Sequence, residues 1–288
     1  MRVLITGARG QLGQSLRERV PEDWETIFTD SKTLDITNKI SVDSMINGFQ
    51  PDIIINTAAY TNVDLAERQS DKAFAINATG VQYLSSAAQN ANSKLIHIST
   101  DYVFDGTKGA PYTPLDYVNP QSVYGQSKLA GEMAALAQSN QNFVVRTSNL
   151  YSEYGSNFVT RIIENFRKNQ SITITNDQIS SPTYSGNLAE AIISLCIQLL
   201  KGDITIASRI LHFSDGISMS RSEFATHILN DILLIPDGKK YVHCSQSTPE
   251  SIAKRPNSSI LEVSPFFTSN TKNLTVLKQI LSDLSKAY

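Results

Sequence analysis

Residues 2–13 of the chain read Arg2-Val3-Leu4-Ile5-Thr6-Gly7-Ala8-Arg9-Gly10-Gln11-Leu12-Gly13. The run before the first glycine is apolar, as in a buried parallel strand, and the residues from Gln11 onward favour a helix. In such a turn the first glycine permits a tight bend, the second lets the backbone approach a ligand, and the third lets the helix pack closely on the strand. The helix N-terminus then presents unpaired N–H groups to phosphate. The segment predicts a dinucleotide pyrophosphate site, and a glycine turn without a ligand is the alternative.

The alternation of strands and helices continues through the first half of the chain. Further strands are predicted at residues 25–29, 52–56, 94–99 and 143–147, and helices at 11–20, 40–48, 71–90 and within 121–139. Because the linkers are short, this order predicts an α/β fold, a Rossmann-like doubly wound parallel sheet. His97 alternates with apolar neighbours in one of these strands and is predicted to be a core histidine.

The second half of the chain has a less regular pattern. Helices are predicted at residues 157–168, 186–200 and 220–233, and short strands at 172–175 and 210–213. We therefore expect residues 1–148, with parts of 184–205, to form the dinucleotide-binding Rossmann domain. Residues 149–288 are expected to form a smaller C-terminal substrate-binding lobe.

Composition and charge bear on the class of partner. The 288 residues include 25 Lys and Arg against 27 Asp and Glu, so the formal net charge is −2. This balance gives no indication of a nucleic acid or an anionic membrane as partner. No apolar run reaches about 18 residues, the length of a membrane span. Cys196 and Cys244 lack metal-site spacing and are expected to be thiols in a reducing compartment, which favours a cytoplasmic protein.

Asp30 ends the second predicted strand, where an acidic residue commonly binds the adenosine ribose of a dinucleotide. The alternative is an ordinary turn aspartate. Arg9, Ser31 and Lys32 lie close by in the sequence and would suit a 2′-phosphate. The choice between NADH and NADPH therefore remains open at this point.

Tyr124 and Lys128 form a Y-x-x-x-K motif. Residues four apart share one face of a helix, so the phenol and the ammonium can point into one cleft. A free tyrosine has a pKa of about 10, and a neighbouring ammonium is expected to lower it. A proton could then pass between Tyr124 and a carbonyl oxygen during hydride transfer. The motif is common by chance, and a solvated helix face is its alternative interpretation.

These motifs together resemble the extended short-chain dehydrogenase/reductase superfamily. The shared features are the G-x-x-G-x-x-G spacing, the Y-x-x-x-K motif and the polar segment that follows the fourth strand. The resemblance implies that Thr100 hydrogen-bonds the reacting oxygen, with Ser99 as the rival hydroxyl. It also implies that Asn77 lines the cofactor site. The small side chains of residues 56–61 are expected to let the cofactor lie against the backbone.

At finer scale the chain resembles the dTDP-4-dehydrorhamnose reductases over nearly its whole length. The matching motifs are T-G-A-R-G-Q-L-G (6–13), L-D-I-T (34–37), A-A-Y-T-N-V-D-L-A-E (58–67), I-S-T-D-Y-V-F-D-G (98–106), Y-G-Q-S-K-L-A-G-E (124–132), R-T-S (146–148), N-F (157–158), D-Q-x-x-x-P-T (177–183), S-R-S-E-F-A (220–225) and A-K-R-P-N-S (253–258). The joint set is specific, whereas most single pieces are not. The resemblance implies hydride transfer from NADPH or NADH to the C4 keto group of a dTDP-4-dehydro-6-deoxyhexose, first of all dTDP-4-dehydro-L-rhamnose, giving dTDP-L-rhamnose.

The resemblance also implies a set of site residues. Catalysis is assigned to Tyr124, Lys128 and Thr100. Cofactor contacts are assigned to Gly7, Arg9, Gly10, Gln11, Leu12, Gly13, Asp30, Asp35, Ile36, Ala58, Ala59, Tyr60, Asn77, Tyr124 and Lys128. Substrate contacts are assigned to Thr61, Val63, Asp101, Tyr102, Phe104, Asn149, Asn157, Phe158 and Gln178. No metal ligand is assigned, although some members of the family use Mg²⁺ at a dimer contact, which leaves Mg²⁺ and a homodimer open.

Two departures from the family pattern bear on the substrate. Asn149 follows R-T-S where the family commonly has tryptophan, and Ser180 stands where a smaller residue is usual. Asparagine offers hydrogen bonds where an indole offers an apolar face, so a different nucleotide sugar would also be compatible.

Two other functions occur among proteins that resemble this family. The nucleotide-sugar dehydratases and epimerases share the scaffold, but the dehydratases carry Thr-Asp-Glu where this chain has Thr100-Asp101-Tyr102. A non-catalytic regulatory subunit of methionine adenosyltransferase is also similar. The intact Thr100, Tyr124 and Lys128 favour an enzyme over such a subunit.

Overall fold

A six-stranded parallel sheet forms the centre of the structure, a computed structural model that describes residues 1–170, 172–175, 178–202, 208–245, 252–270 and 274–284. The strands of these ranges are β1 (Arg2–Thr6), β2 (Glu25–Phe28), β3 (Ile53–Asn56), β4 (Lys94–Thr100), β5 (Phe143–Thr147), β6 (Leu150–Tyr151), β7 (Ile172–Thr175), β8 (Ile179–Ser180), β9 (Thr183–Tyr184), β10 (Ile210–His212), β11 (Met219–Ser220) and β12 (Val242–Ser245). The central sheet has the order β2-β1-β3-β4-β5-β10, and every pair in it is parallel. The predicted fold class, a Rossmann-like doubly wound parallel sheet, is confirmed. The order reverses beside β1, where such sheets bind their ligands.

Helices cover both faces of the sheet. They are α1 (Gln11–Arg19), α2 (Lys39–Phe49), α3 (Val63–Arg68), α4 (Ser70–Phe74), α5 (Gly80–Asn90), α6 (Val123–Gln138), α7 (Phe158–Arg167), α8 (Ser185–Lys201), α9 (Arg221–His227) and α10 (Leu274–Leu284). Helices α1 and α8 pack in one apolar core, and α2, α5 and α6 contribute to a second. Within the described ranges, no helix combines the length and apolarity that crossing a membrane requires.

Alternating side chains of the strands supply the two cores. Val3 and Ile5 of β1 belong to the core under α1 and α8, whereas Leu4 belongs to the core on the opposite face. All three side chains are fully buried. A strand buried on both faces reads as a continuous apolar run, which explains the apolar start of the chain.

The C-terminal half builds a third apolar core. It includes Tyr151 and side chains of α7, β7, α9 and α10, among them Ile163, Ile172, Phe224 and Leu281. The chain also returns to the central sheet after residue 148, because β10 pairs with β5 and α8 packs on α1. The division at residue 148 remains a prediction. The strand β10 falls within residues 149–288, yet it belongs to the central Rossmann sheet.

The predicted helix over residues 71–90 is interrupted. A π-helical turn, Ala75–Thr79, separates α4 from α5. Asn77 lies in this turn and is fully buried, with its side chain bonded to the backbone of Tyr60. A similar π turn, Ile228–Ile232, ends the predicted helix 220–233. Helical periodicity alone does not reveal one inserted residue, which is why the sequence predicted continuous helices.

Two glycines in the first turn are required by close contacts. Gly7 has a φ of +71°, and a Cβ there would lie 2.6 Å from the Ala58 nitrogen. A Cβ on Gly13 would lie 2.5 Å from the Gly7 carbonyl oxygen. The first contact brings β1 close to the segment after β3, and the second brings α1 onto the turn.

Replacing Gly13 by alanine is therefore expected to destabilise the protein by about 1–3 kcal/mol, because the new methyl group meets backbone that cannot rotate away. The matched control is Gly48→Ala, since Gly48 lies in α2 with no atom near its hypothetical Cβ. That variant is expected to be stabilised by up to about 1 kcal/mol through helix propensity. Urea unfolding of both variants measures the difference, and equal stabilities would contradict the close packing of α1.

Candidate active site

A cleft of about 730 Å³ opens at the carboxyl ends of β1, β3, β4 and β5. It gathers many of the residues predicted from the sequence. They are Gly7, Arg9, Gly10, Gln11, Leu12, Asp30, Asp35, Ile36, Ala58, Ala59, Thr61, Thr100, Asp101, Tyr124, Lys128 and Asn149. One cleft thus contains the glycine turn and the polar group around Tyr124.

The glycine end of the cleft fits a diphosphate. Gly10 is the N-cap of α1, and because glycine has no side chain, no side chain of this residue caps the helix. The first turn of α1 carries no acidic residue that would repel an anion. Free N–H groups at a helix N-terminus bind phosphate oxygens favourably. The residues present therefore fit the pyrophosphate of a dinucleotide.

Arg9 and Asp30 form an ion pair beside the glycine turn. Arg9 Nε lies 2.5 Å from Asp30 Oδ2, and the arginine is largely exposed. The other carboxylate oxygen accepts hydrogen bonds from the backbone N–H groups of Lys32 and Thr33. These bonds, the one from Lys32 first, hold the pKa of Asp30 below its ordinary value although burial acts to raise it. Asp30 is thus a turn residue and an ion-pair partner at once.

Tyr124 lies in the first turn of α6, whose N-terminus is capped by the Ser122 hydroxyl. The Tyr124 phenol lies near the side chain of Thr100, which acts to lower the pKa of the phenol. The Thr100 hydroxyl donates to Asp101 Oδ1 over 3.0 Å. The Thr100 hydroxyl oxygen also accepts from the Tyr102 backbone N–H, over 3.2 Å. For Thr100 to donate to a reacting oxygen, as the resemblance implies, its hydroxyl must leave Asp101.

Asp101 is buried beneath this pair. Its second oxygen accepts hydrogen bonds from Ser148, at 2.9 Å, and from Ser259, at 2.5 Å. Burial raises the pKa of Asp101, and the three hydroxyl hydrogen bonds oppose that effect. Asp101 therefore anchors the Thr100 hydroxyl from below and joins β4 to residues far along the chain.

Burial sets the ionisation of both candidate catalytic groups. It raises the pKa of the Tyr124 phenol above its ordinary value, and the Thr100 hydrogen bond only partly offsets this. It lowers the pKa of Lys128 to about 8, opposed by the charge of Glu132. The expectation that the Lys128 ammonium lowers the pKa of Tyr124 is wrong for this structure. The ammonium donates instead to the Ile98 carbonyl, over 2.6 Å.

The chain is 39% identical over 267 residues to the dTDP-4-dehydrorhamnose reductase of Aggregatibacter actinomycetemcomitans, covering 91% of this chain and 90% of that protein. A family model described as the RmlD substrate binding domain matches residues 1–287. The chain belongs to the dTDP-4-dehydrorhamnose reductase family.

Two further comparisons agree with this membership. A crystal structure of dTDP-4-dehydrorhamnose reductase from Bacillus anthracis, in complex with NADP, superposes with a TM-score of 0.88. It is 36% identical, and the match covers 100% of this chain and 99% of that chain. The dTDP-4-keto-6-deoxy-D-glucose reductase of Streptomyces niveus is 34% identical over 67% of this chain and 68% of that protein. Relatives of this chain are therefore named as reductases of different keto sugars.

Three residues assigned to the cofactor in this family do not line the cleft, namely Gly13, Tyr60 and Asn77. The Asn77 amide donates to the Tyr60 carbonyl and to Ser127 Oγ, both at 3.0 Å, and accepts from the Tyr60 N–H. Asn77 therefore ties the segment after β3 to α6 from behind the cleft. That Asn77 lines the cofactor site stays a prediction.

Several residues assigned to the substrate are also placed differently. Phe104 is fully buried and stacks on Tyr112, with ring centroids 4.2 Å apart, so it is a core residue. Asn157 is the N-cap of α7, and its amide also donates to the Ser152 carbonyl. Both side chains are occupied by the fold in this structure, and direct substrate contact by either stays a prediction.

The remaining substrate assignments lie outside the cleft or at its edge. Val63 begins α3, and the Gln178 carbonyl accepts from the Arg221 N–H. Phe158 stacks on Phe224, while Tyr102 meets Tyr124 edge-on at 5.7 Å. Only the last of these contacts brings a predicted substrate residue against Tyr124. Asp177, part of the D-Q motif, lies outside the described residues.

Asn149 lines the cleft, as expected, but its backbone is unusual. It has a φ of +44°, in the left-handed region that asparagine adopts more readily than other residues with a Cβ. Its carbonyl accepts from the Thr183 N–H, which links β5 to the lobe. The conformation gives a second reason for asparagine at this position, besides any contact with a sugar.

A group of three arginines, of which two lie near Tyr102, was not predicted from the sequence. The positive charges of Arg221 and Arg255, after burial, lower the pKa of Arg161. Both also lie near enough to Tyr102 to act on its pKa. Arg221 and Arg255 stand in the family motifs S-R-S-E-F-A and A-K-R-P-N-S, so a signal was present, but their convergence depends on the fold.

Proposed function

We propose that this protein reduces the C4 keto group of dTDP-4-dehydro-L-rhamnose to give dTDP-L-rhamnose, with NADPH or NADH as hydride donor. The observation that carries the proposal is the placement of Thr100, Tyr124 and Lys128 in the cleft that also contains the unpaired N-terminus of α1. Family membership and the relative described in complex with NADP support it.

The chain's own residues supply binding and the proton. When bound, the reduced nicotinamide supplies the hydride to the sugar carbon. Tyr124 donates the proton to the C4 oxygen, because its raised pKa keeps the phenol protonated at neutral pH and its ring borders the cleft. The Thr100 side chain lies near the phenol and is itself hydrogen-bonded to Asp101. Lys128 lies in the same cleft, where its side-chain nitrogen donates to the Ile98 carbonyl.

The three arginines described above suit the diphosphate of the sugar nucleotide. Guanidinium groups bind phosphate oxygens in pairs through charge-assisted hydrogen bonds. Arg255 is tied to Asp64 by an ion pair at 2.5 Å and is hydrogen-bonded to Tyr102, which itself contacts Tyr124. The arginine group therefore lies one aromatic ring away from the proton donor, close enough for one nucleotide sugar to reach both.

Replacing Arg161 or Arg221 by alanine is expected to raise the KM for the dTDP-sugar about tenfold, the value of roughly one charge-assisted hydrogen bond, and to leave kcat near its original value. Lys168→Ala is the control, because Lys168 is an exposed residue at the end of α7. Steady-state kinetics with the sugar varied at fixed NADPH measures the effect. An unchanged KM in both arginine variants would contradict the proposal that these arginines bind the diphosphate.

The Arg9–Asp30 pair leads to a prediction about the cofactor. Arg9→Ala is expected to weaken NADPH about tenfold and NADH little, because the arginine is the cation available to a 2′-phosphate. Asp30→Ala is expected to weaken NADH more than NADPH, because a carboxylate accepts from ribose hydroxyls but repels phosphate. Fluorescence titration of both nucleotides measures the two effects. Equal effects on both nucleotides would show that the pair only stabilises the turn.

The test of the proposed function is a direct incubation. The purified protein is mixed with dTDP-4-dehydro-L-rhamnose and NADPH or NADH, and both nicotinamide oxidation and the sugar product are followed. Reduction with one dTDP-L-rhamnose formed per nicotinamide oxidised supports the proposal. Preferential conversion of dTDP-4-keto-6-deoxy-D-glucose would show that this sugar nucleotide is the substrate instead. We place this reaction in the cytoplasm, and a homodimer remains a prediction.

A further inference from the structure

His97 lies in the middle of β4 and is fully buried, yet both ring nitrogens face polar atoms. Nδ1 lies 3.0 Å from Asn56 Nδ2, and Nε2 lies 3.3 Å from Lys128 Nζ. A core histidine, which the sequence pattern predicted, requires no such arrangement. The ring thus connects the end of β3 with the candidate catalytic lysine.

The orientation of the Asn56 amide is fixed by its other neighbours. The Ala58 backbone N–H, which can only donate, lies 3.1 Å from Asn56 Oδ1. The Thr6 hydroxyl donates to the same oxygen over 2.6 Å. The amide oxygen must therefore face Ala58, and the amide NH₂ must face His97. All of these polar side chains are buried, so water cannot substitute for a misdirected bond.

This orientation determines the tautomer of His97. Because Asn56 Nδ2 donates, His97 Nδ1 must accept and carries no proton. The neutral ring then carries its proton on Nε2, which points at Lys128 Nζ. An ammonium has three donors and no lone pair, so it cannot accept this proton. A neutral amine can accept it and still donate to the Ile98 carbonyl.

We infer that His97 is a positioning residue that sets the protonation state of Lys128, through a directed chain of hydrogen bonds from Ala58 and Asn56 that opposes the ammonium and accommodates the neutral amine. The chain begins at the segment that closes on the glycine turn, since Ala58 lies against Gly7. Removing the Nε2 proton, or reversing its direction, should make Lys128 a stronger base.

The surrounding charges are consistent with this direction. Glu132, one turn along α6, favours the ammonium. It is, however, held by Arg146 of β5 through two hydrogen bonds of 2.9 and 2.7 Å. The pKa of Lys128 lies near 8 and that of His97 is lowered by burial and by Lys128. The pKa of Lys128 is lowered by burial and raised by the charge of Glu132. The other ionisable groups on α6 and on the elements packed against it are Asp64, Glu67, Arg68, Asp71, Lys72, Tyr83, Asp101, Tyr102 and Tyr124.

The consequence for the reaction is a lysine that can exchange a proton at working pH. An ordinary lysine, with a pKa of about 10.4, is almost fully protonated at neutral pH. A lysine that titrates near 8 releases and recovers a proton readily, so Lys128 can take part in restoring the proton that Tyr124 donates.

The first test measures the tautomer of His97 in the unaltered protein. Long-range proton–nitrogen spectra of the ¹⁵N-histidine-labelled full chain distinguish an Nε2-protonated ring from an Nδ1-protonated ring. The inference requires the Nε2-protonated form across the neutral pH range. An Nδ1-protonated or doubly protonated His97 overturns it, and no variant has to fold for this measurement.

The second test measures the titration of Lys128 by the shift of its ¹³Cε signal, assigned through the signal lost in Lys128→Arg. The expected midpoint is near 8 in the unaltered protein. His97→Gln can turn its amide oxygen toward the ammonium, so the midpoint is expected to rise by about one unit, a tenfold change in proton affinity. His227→Gln is the matched control, because His227 pairs with Asp231 in the helical segment that belongs to the third apolar core, that of the C-terminal half. A midpoint that stays within about 0.3 unit in a folded His97→Gln protein overturns the inference.

The inference rests on the assignment of Lys128 to the active site, but neither readout depends on turnover. If the proposed reduction fails while both spectra behave as expected, the hydrogen-bonded chain stands and the substrate assignment falls. If the reduction is observed and the spectra do not behave as expected, the function stands and the role of His97 falls.

Discussion

Replacing Tyr124 by phenylalanine is expected to lower kcat by about 10²–10⁴-fold, because the variant loses the proton donor and keeps the ring. Cofactor affinity should change little, since the diphosphate fits the glycine end of the cleft. Single-turnover measurements with saturating NADPH separate the chemical step from binding.

Tyr117→Phe is the matched control, since the Tyr117 side chain is exposed and lies outside the cleft. It should behave like the unaltered protein in every measurement. If Tyr124→Phe retained more than about a tenth of the activity, another group would have to donate the proton, and Tyr102, which meets Tyr124 edge-on, would be the next candidate.

Replacing Arg146 by leucine is expected to lower the free energy of unfolding by about 3–5 kcal/mol, because the Glu132 carboxylate would remain buried without its cation. Both side chains are only 2% exposed and are joined at 2.7 Å. Ser99 and His212 complete the polar environment of the pair. Urea unfolding followed by circular dichroism measures the loss.

Two further variants test this explanation. In Arg146→Leu/Glu132→Leu neither charge is left alone, so the double variant should be more stable than Arg146→Leu by more than about 1 kcal/mol. Lys39→Leu breaks an exposed ion pair with Asp43 and should cost less than about 1 kcal/mol. A cost for Arg146→Leu as small as that of Lys39→Leu would show that the buried pair contributes no special stability.

The sequence was informative where the relevant signal is local. The apolar run before Gly7, the glycine spacing and the four-residue spacing of Tyr124 and Lys128 all depend on neighbours within one turn of chain. Such patterns report backbone conformation and shared faces directly. The strands and helices around them were accordingly predicted within a few residues of their observed bounds.

The sequence failed where one side chain is satisfied by another far along the chain. The family resemblance assigned Phe104 to the substrate, yet Phe104 stacks on Tyr112 in a small core of its own. Asp101 is fixed by Ser148 and by Ser259, which follows it by 158 residues. A tertiary contact at that separation leaves no trace in local periodicity.

The electrostatic expectation for Tyr124 failed for a related reason. Spacing placed Lys128 on the same helix face, but it could not show that the ammonium donates to Ile98 and faces His97. Desolvation then outweighs charge for both groups. The arginine group was missed because its members come from α7, the start of α9 and a distant loop, and only the fold brings them together.

The most direct measurement uses dTDP-4-dehydro-L-rhamnose and NADPH deuterated at C4 of the nicotinamide, with the sugar product analysed by mass spectrometry and NMR. The account predicts dTDP-L-rhamnose with deuterium at C4 of the sugar, one label per NADPH oxidised, and at least a hundredfold slower labelling with Tyr124→Phe. A product without deuterium at that carbon, or product formation with no net oxidation of NADPH, would contradict the assignment of this cleft to hydride transfer.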